Sequence, residues 1–208
     1  MKENKTKALV SLFGIYTACL VIMNILAVKQ IDIWIFTVTT GILVSPVVFI
    51  IQDVTAEVFG FNIAKKMILL GFGTVFLGTA FYQIAIIITP SIFWENQEAF
   101  KILFSTTTRI SIASFLAYVS GSLINAKLMT ALRKKFKNKL FFRAISSTIA
   151  GQFIDNAVFS FVGFLGILPV GAIISMVIGA TIFEVIYEII LFPITKTSIK
   201  KIEKYINI

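Results

Sequence analysis

The sequence predicts an all-α polytopic membrane protein: one transmembrane domain over residues 1–208, built as a bundle of six transmembrane helices with both termini in the cytoplasm. Three observations predict it. Hydrophobic residues make up 58% of the chain, charged residues only 14%, and the mean hydropathy is +0.95, outside the range of soluble domains; the ten-residue alternation of a membrane barrel is absent. Six apolar runs are each long enough to cross about 30 Å of hydrocarbon at ~1.5 Å per residue. Lysine and arginine gather on one side of those runs, which fixes the orientation.

The first run, residues 8–28, carries Cys19 and Asn24. A single cysteine excludes an intramolecular disulfide, and the run is too long, without a small-residue cleavage site, for a removable signal peptide. The second, residues 34–59, contains GILVSPVVFIIQDVTAEVFG. Pro46 cannot donate to the carbonyl of Ile42, so the helix is expected to kink or break there and free an acceptor. Asp53 and Glu57 form an i,i+4 carboxylate pair, and Asp53 lies seven residues after Pro46, on nearly the same face. The third run, residues 63–89, includes Gly71-Phe72-Gly73, which lacks the lysine and the strand of a phosphate loop.

The fourth run, residues 107–132, opens on Arg109, read either as an interfacial anchor or as the partner of a buried carboxylate. In the fifth, residues 141–166, Thr148, Gly151, Gln152, Asp155 and Phe159 share one helical face. Asp155 lies about twelve residues, or ~18 Å, from Arg143, which places it near mid-membrane. The sixth run, residues 169–193, carries Glu184 and Glu188 at i,i+4, and a seam of Gly171, Ser175 and Gly179 on roughly the opposite side, suited to close packing.

Sixteen of the nineteen lysines and arginines fall at the inner ends: Lys2, Lys5 and Lys7, Lys65 and Lys66, the group from Lys127 to Arg143, and Lys196, Lys200, Lys201 and Lys204. The outer side has Lys29, Lys101 and Arg109 beside Asp32, Glu95 and Glu98, with Trp34 and Trp94 as an aromatic belt. The net charge of +9 therefore reads as a topology signal rather than a nucleic-acid surface.

Asp53 and Asp155 are too short and too deep to reach an interface, so each needs protein, water or a ligand against it. Glu57 and Glu188 lie within about two turns of a basic flank and have the alternative of snorkelling or pairing there. With no histidine, the usual metal ligand and general base are both missing, and neither a catalytic residue, a metal site nor a cofactor is expected. Gln52-Asp53 and Gln152…Asp155 occupy the central helices of the first and last three spans, as in an inverted 3+3 repeat.

Asn24, SPVVFIIQDVTAEVFG at residues 45–60, RISIASFLAY at 109–118 and STIAGQFIDNAVFSFVGF at 147–164 together resemble the YhhQ-type queuosine precursor transporters, also called the vitamin uptake transporter family. The resemblance covers nearly the whole chain. It implies a six-helix bacterial inner-membrane protein that takes up 7-deazaguanine compounds, precursors of the tRNA nucleoside queuosine. Asn24, Asp53, Arg109, Gln152 and Asp155 match the family pattern, and Glu57 matches many members. Relatives often have a lysine shortly before the final proline; this chain has none near Glu184 and Glu188.

The chemistry is compatible. A 7-deazaguanine offers an N–H and an exocyclic amine on one edge for a carboxylate, a carbonyl for Gln or Asn, and a face for an aromatic ring. The expected substrate-binding set is Asn24, Asp53, Glu57, Arg109, Gln152, Asp155, Phe159, Glu184 and Glu188, in a secondary transporter whose mid-membrane site is formed by spans one, two, five and six. The expected partners are a nucleobase-like small molecule and membrane lipid, with a homodimer left open. The alternatives are the substrate-binding subunit of an ATP-driven vitamin importer, or a transporter of another small nucleobase or vitamin. An intramembrane enzyme lacks its catalytic groups, and a channel lacks a continuous polar pore.

Overall fold

The computed structural model describes residues 2–135 and 140–207; Lys137 and Lys139 of the expected inner basic group lie outside them. The chain is mostly helical, with α1 Lys2–Leu26, α2 Ser45–Phe59, α3 Phe61–Ile87, α4 Gln97–Lys135, α5 Leu140–Phe164 and α6 Val170–Asn207. A hairpin of β1 Gln30–Ile33 and β2 Phe36–Thr39, followed by a 3-10 turn over Thr40–Leu43, stands between α1 and α2. By length and composition, α1, α3, α4 and α6 can each cross a membrane.

Residues 34–59 are therefore not one helix: the expected irregularity at Pro46 is a break, and a strand and a 3-10 turn, not helix, precede it. Pro46 begins α2 rather than kinking a longer helix, because its missing N–H is no loss in a first turn. The carbonyl of Ile42 accepts instead from the Ser45 hydroxyl at 3.2 Å. At 15 residues, α2 is ~22 Å long, short of the hydrocarbon thickness. Toward the other end of the chain, α6 runs on through Pro193 to Asn207, beyond the expected span, since its last turns are lysine-rich and helical without being apolar. Likewise α4 begins ten residues before the fourth apolar run.

The chain divides into two compact units, the first comprising Met1–Val28, Thr40–Thr107 and Tyr187–Ile208, the second Lys29–Thr39 and Thr108–Ile186. In the first, Tyr16 and Leu20 of α1 are buried with Val54 of α2 and Met67, Ile68 and Phe72 of α3. Gly71 lets α3 approach α1 this closely: a Cβ there would stand 2.6 Å from the Tyr16 ring, and the Tyr16 hydroxyl accepts from Gln52 Nε2 of α2 at 3.0 Å. One tyrosine thus ties three helices. Gly60, at φ 87, is at once the C-cap of α2 and the N-cap of α3; the reversal in a single residue requires a conformation that side chains resist.

In the second unit α4 and α5 run antiparallel. Gly163 lies against Ile110 and Ala113, and Gly121 lies against Gly151 and Asp155, so positions rise along one helix as they fall along the other. Ile110, Ala113, Ala117 and Gly121 repeat every three to four residues and form a nearly flat buried face on α4. The small-residue seam of α6 receives the hairpin. Ser175 Oγ accepts from the Thr37 N–H at 3.1 Å and donates to the Ile35 carbonyl at 3.3 Å, while a Cβ at Gly179 would meet Phe36 at 2.6 Å. Ser175 and Gly179 thus pack as the seam's spacing predicts, though against a strand, while a Cβ at Gly171 would meet nothing within 4 Å. Trp34 at the hairpin turn has φ 55, a backbone state that costs a non-glycine residue about 1–2 kcal/mol, and it is 91% exposed.

Candidate functional site

Polar groups inside apolar helices need partners, because an unpaired polar group away from water costs about 1–3 kcal/mol. Where those partners are missing, a ligand has something to supply.

The first unit holds Asn24, Asp53, Glu57 and Glu188 of the expected set. Asn24, only 2% exposed, donates Nδ2 to the Leu20 carbonyl at 2.8 Å, and a carbonyl can face only the nitrogen of the amide. Its Oδ1 is buried with no protein partner, and so is the Thr17 hydroxyl two turns earlier on α1. Asp53 and Glu57 are exposed on one face of α2. Glu188 of α6 is also exposed and lies within electrostatic reach of Asp53. Gln52, beside Asp53, is held by Tyr16, which fixes the rotation of α2 about its axis.

The second unit holds Arg109, Gln152, Asp155, Phe159 and Glu184. The middle of α5 is wedged between α4 and α6. On the α4 side, Gly121 would place a Cβ 2.8 Å from both Asp155 Cβ and the Gly151 carbonyl oxygen; only the absence of a side chain at Gly121 admits Asp155. Tyr118, one turn away on α4, is within electrostatic reach of that carboxylate. On the α6 side, Asn156 is buried and donates Nδ2 to Glu184 Oε2 at 2.6 Å and to Thr181 Oγ1 at 3.3 Å. The Thr181 hydroxyl in turn donates to the Val177 carbonyl at 2.7 Å. Gln152 Oε1, one turn before Asp155 and Asn156, is buried with no partner. Phe159 meets Phe164 edge to face, with ring centroids 6.0 Å apart.

Arg109 is committed elsewhere. Its Nε donates to the Val162 carbonyl at 2.8 Å and its Nη2 to the Leu165 carbonyl at 2.6 Å. A helix end leaves such carbonyls without intrahelical donors and carries partial negative charge, so a guanidinium is a natural cap for α5. In place of the carboxylate partner considered for it, Arg109 has a helix-end contact.

Asn156, Thr181, Tyr16 and Gly121 were not singled out from the sequence. Asn156 stands directly after Asp155 in a polar stretch, a signal that was available. Gly121 and Tyr16 acquire meaning only from the helix opposite.

Residues 39–197 match the family described as "Putative vitamin uptake transporter". The chain is similar to a probable queuosine precursor transporter of Bacillus subtilis (strain 168), at 27% identity over 182 residues, covering 86% of this chain and 78% of the relative. It is also similar to a probable queuosine precursor transporter of Haemophilus influenzae, at 30% identity over 132 residues, covering 62% of this chain and 53% of that relative. No solved structure matches the chain.

Proposed function

The chain belongs to the putative vitamin uptake transporter family, and on that premise we propose that it is an inner-membrane importer of queuosine precursors, bases of the 7-deazaguanine class. A transporter family with several apolar helices makes this a multi-pass membrane protein. The proposal adds six passes and inward-facing termini. Four passes are α1, α3, α4 and α6; the 25 residues of α5, ~37 Å long, make another; the hairpin, the 3-10 turn and α2 together make the second. Non-helical backbone is tolerated at membrane depth where protein satisfies it, and the hairpin ladder with the Ser175 contacts does so. One unit is built mainly on α1–α3 and the other on α4–α6, the division that an inverted repeat requires.

The observation that carries the reading is the polar centre of α5, where Asp155 and the unpartnered Gln152 Oε1 stand in an otherwise apolar helix. A carboxylate there accepts the paired donors of a guanine-like edge, the amide oxygen accepts a further N–H, and Phe159 offers a ring face. Asp53, Glu57 and Glu188, with Asn24 Oδ1, give the first unit acceptors of the same chemistry.

The test is Asp155→Asn. Asparagine keeps the shape that fits against Gly121, so the protein reaches the membrane in normal amount while uptake of labelled 7-deazaguanine falls to background. Undiminished uptake by cells carrying the variant would refute the assignment.

A further inference from the structure

Past Pro193, α6 stays helical to Asn207, and the two sides of this tail differ. Thr195, Ile199, Ile202 and Ile206 are half-buried within the first unit, and the Tyr205 carbonyl accepts from Asn4 Nδ2 of α1 at 3.2 Å, which fixes the tail on that side. On the other side Lys196, Lys200 and Lys204 recur every fourth residue in one exposed row, ~12 Å from first to last. Traced back along the helix, the same row continues through exposed Pro193 to Ile189, with Phe192 beside it; Ile189 is 65% exposed and Phe192 64%. The face that α6 offers to lipid thus turns into lysine without changing direction. Among the described residues none of the three lysines is ion-paired.

The setting of this row favours lipid headgroups over the open solvent. A helical side chain leans toward the N-terminus of its own helix; for the tail of α6 that direction is back toward the membrane, so the ammonium groups reach down to the bilayer surface. Pro193 has no N–H for the Ile189 carbonyl, and this turn is exposed, which suits the depth where water and headgroups begin. The helix dipole favours cations in the last turn only, where Lys204 is the basic residue; Lys196 and Lys200 lie outside its reach. We propose that Lys196, Lys200 and Lys204 bind the phosphates of anionic phospholipids, tying the tail of α6 to the membrane. On the topology proposed above the leaflet is the inner one, while the lipid contact itself does not depend on that direction.

The experiment titrates the purified full chain in detergent with phosphatidylglycerol and, separately, with zwitterionic phosphatidylcholine, and counts bound lipid by native mass spectrometry. The expected result is binding of phosphatidylglycerol tighter by roughly tenfold or more. A lysine near an anionic surface is worth roughly fivefold in affinity, so Lys200→Gln alone should lower the preference about fivefold. Lys196→Gln, Lys200→Gln and Lys204→Gln together should abolish it. Lys65→Gln, Lys66→Gln and Lys201→Gln together remove the same charge from exposed positions off the row and should leave most of it. Equal loss in the two triple variants overturns the inference, because general surface charge then suffices. So does an unmodified chain that shows no preference between the two lipids, a result that hands the row to an acidic soluble protein. No step of the measurement involves transport, so neither result bears on the proposed function.

Discussion

Replacing Gly121 by alanine tests the geometry that seats Asp155. A Cβ at that position would lie 2.8 Å from Asp155 Cβ and 2.8 Å from the Gly151 carbonyl oxygen. Ordinary contact needs about 3.4 Å or more, and one of the two obstacles is backbone, so α4 and α5 must separate by roughly half an ångström. Overpacking of this kind costs about 1–3 kcal/mol, against which the alanine regains ~1 kcal/mol of helix propensity. Gly163, in the same pair of helices, is the internal control. A Cβ there meets Ile110 at 3.5 Å and Ala113 at 3.7 Å, so alanine fits and the propensity gain of ~1 kcal/mol remains. The two variants should differ by about 1–3 kcal/mol, or about 2–12 °C in Tm for a chain of this size. Thermal unfolding in detergent, followed by tryptophan fluorescence, reads the difference, and transport should fall with Gly121→Ala alone. Equal or higher Tm for Gly121→Ala than for Gly163→Ala would refute the close approach of α4 to Asp155.

Arg109→Gln should lower Tm, because two carbonyls at the end of α5 lose a charge-assisted donor worth about 1.5–3 kcal/mol; a rise in the KM for transport with unchanged Tm would instead place Arg109 on the substrate. Gly179→Ala should undock the hairpin, since its Cβ would collide with Phe36 at 2.6 Å, and faster proteolysis between Lys29 and Thr39 would report it; protection equal to that of the unmodified chain contradicts the docking. Gly60→Ala should cost about 1–2 kcal/mol from its positive φ, seen as a lower Tm, and an unchanged Tm would mean that the joint between α2 and α3 relaxes.

The hydrophobic runs sufficed for a mostly helical membrane protein, and the motifs for its family. Hydropathy and charge placement are local sums along the chain, and bilayer thickness converts them directly into segments. The same sums could not distinguish hairpin from helix over residues 30–39. Those residues mix apolar side chains with Gln30, Asp32, Thr37 and Thr39, and the hairpin they form is held by Ser175 and Gly179, more than a hundred residues away in sequence.

The candidate site shows the same division. That Asp53 and Asp155 need a partner follows from the sequence, because a short carboxylate in an apolar run has nowhere else to go. Which donors are already spent does not follow. Arg109 looks available in the sequence and is taken by the end of α5, while Asn156 looks incidental and holds Glu184. Hydrogen bonding is a competition decided at about 3 Å between groups far apart in the chain. The sequence by itself determined a membrane protein with acidic groups in its helices; only the tertiary structure decided which polar groups beside them are already bonded to protein.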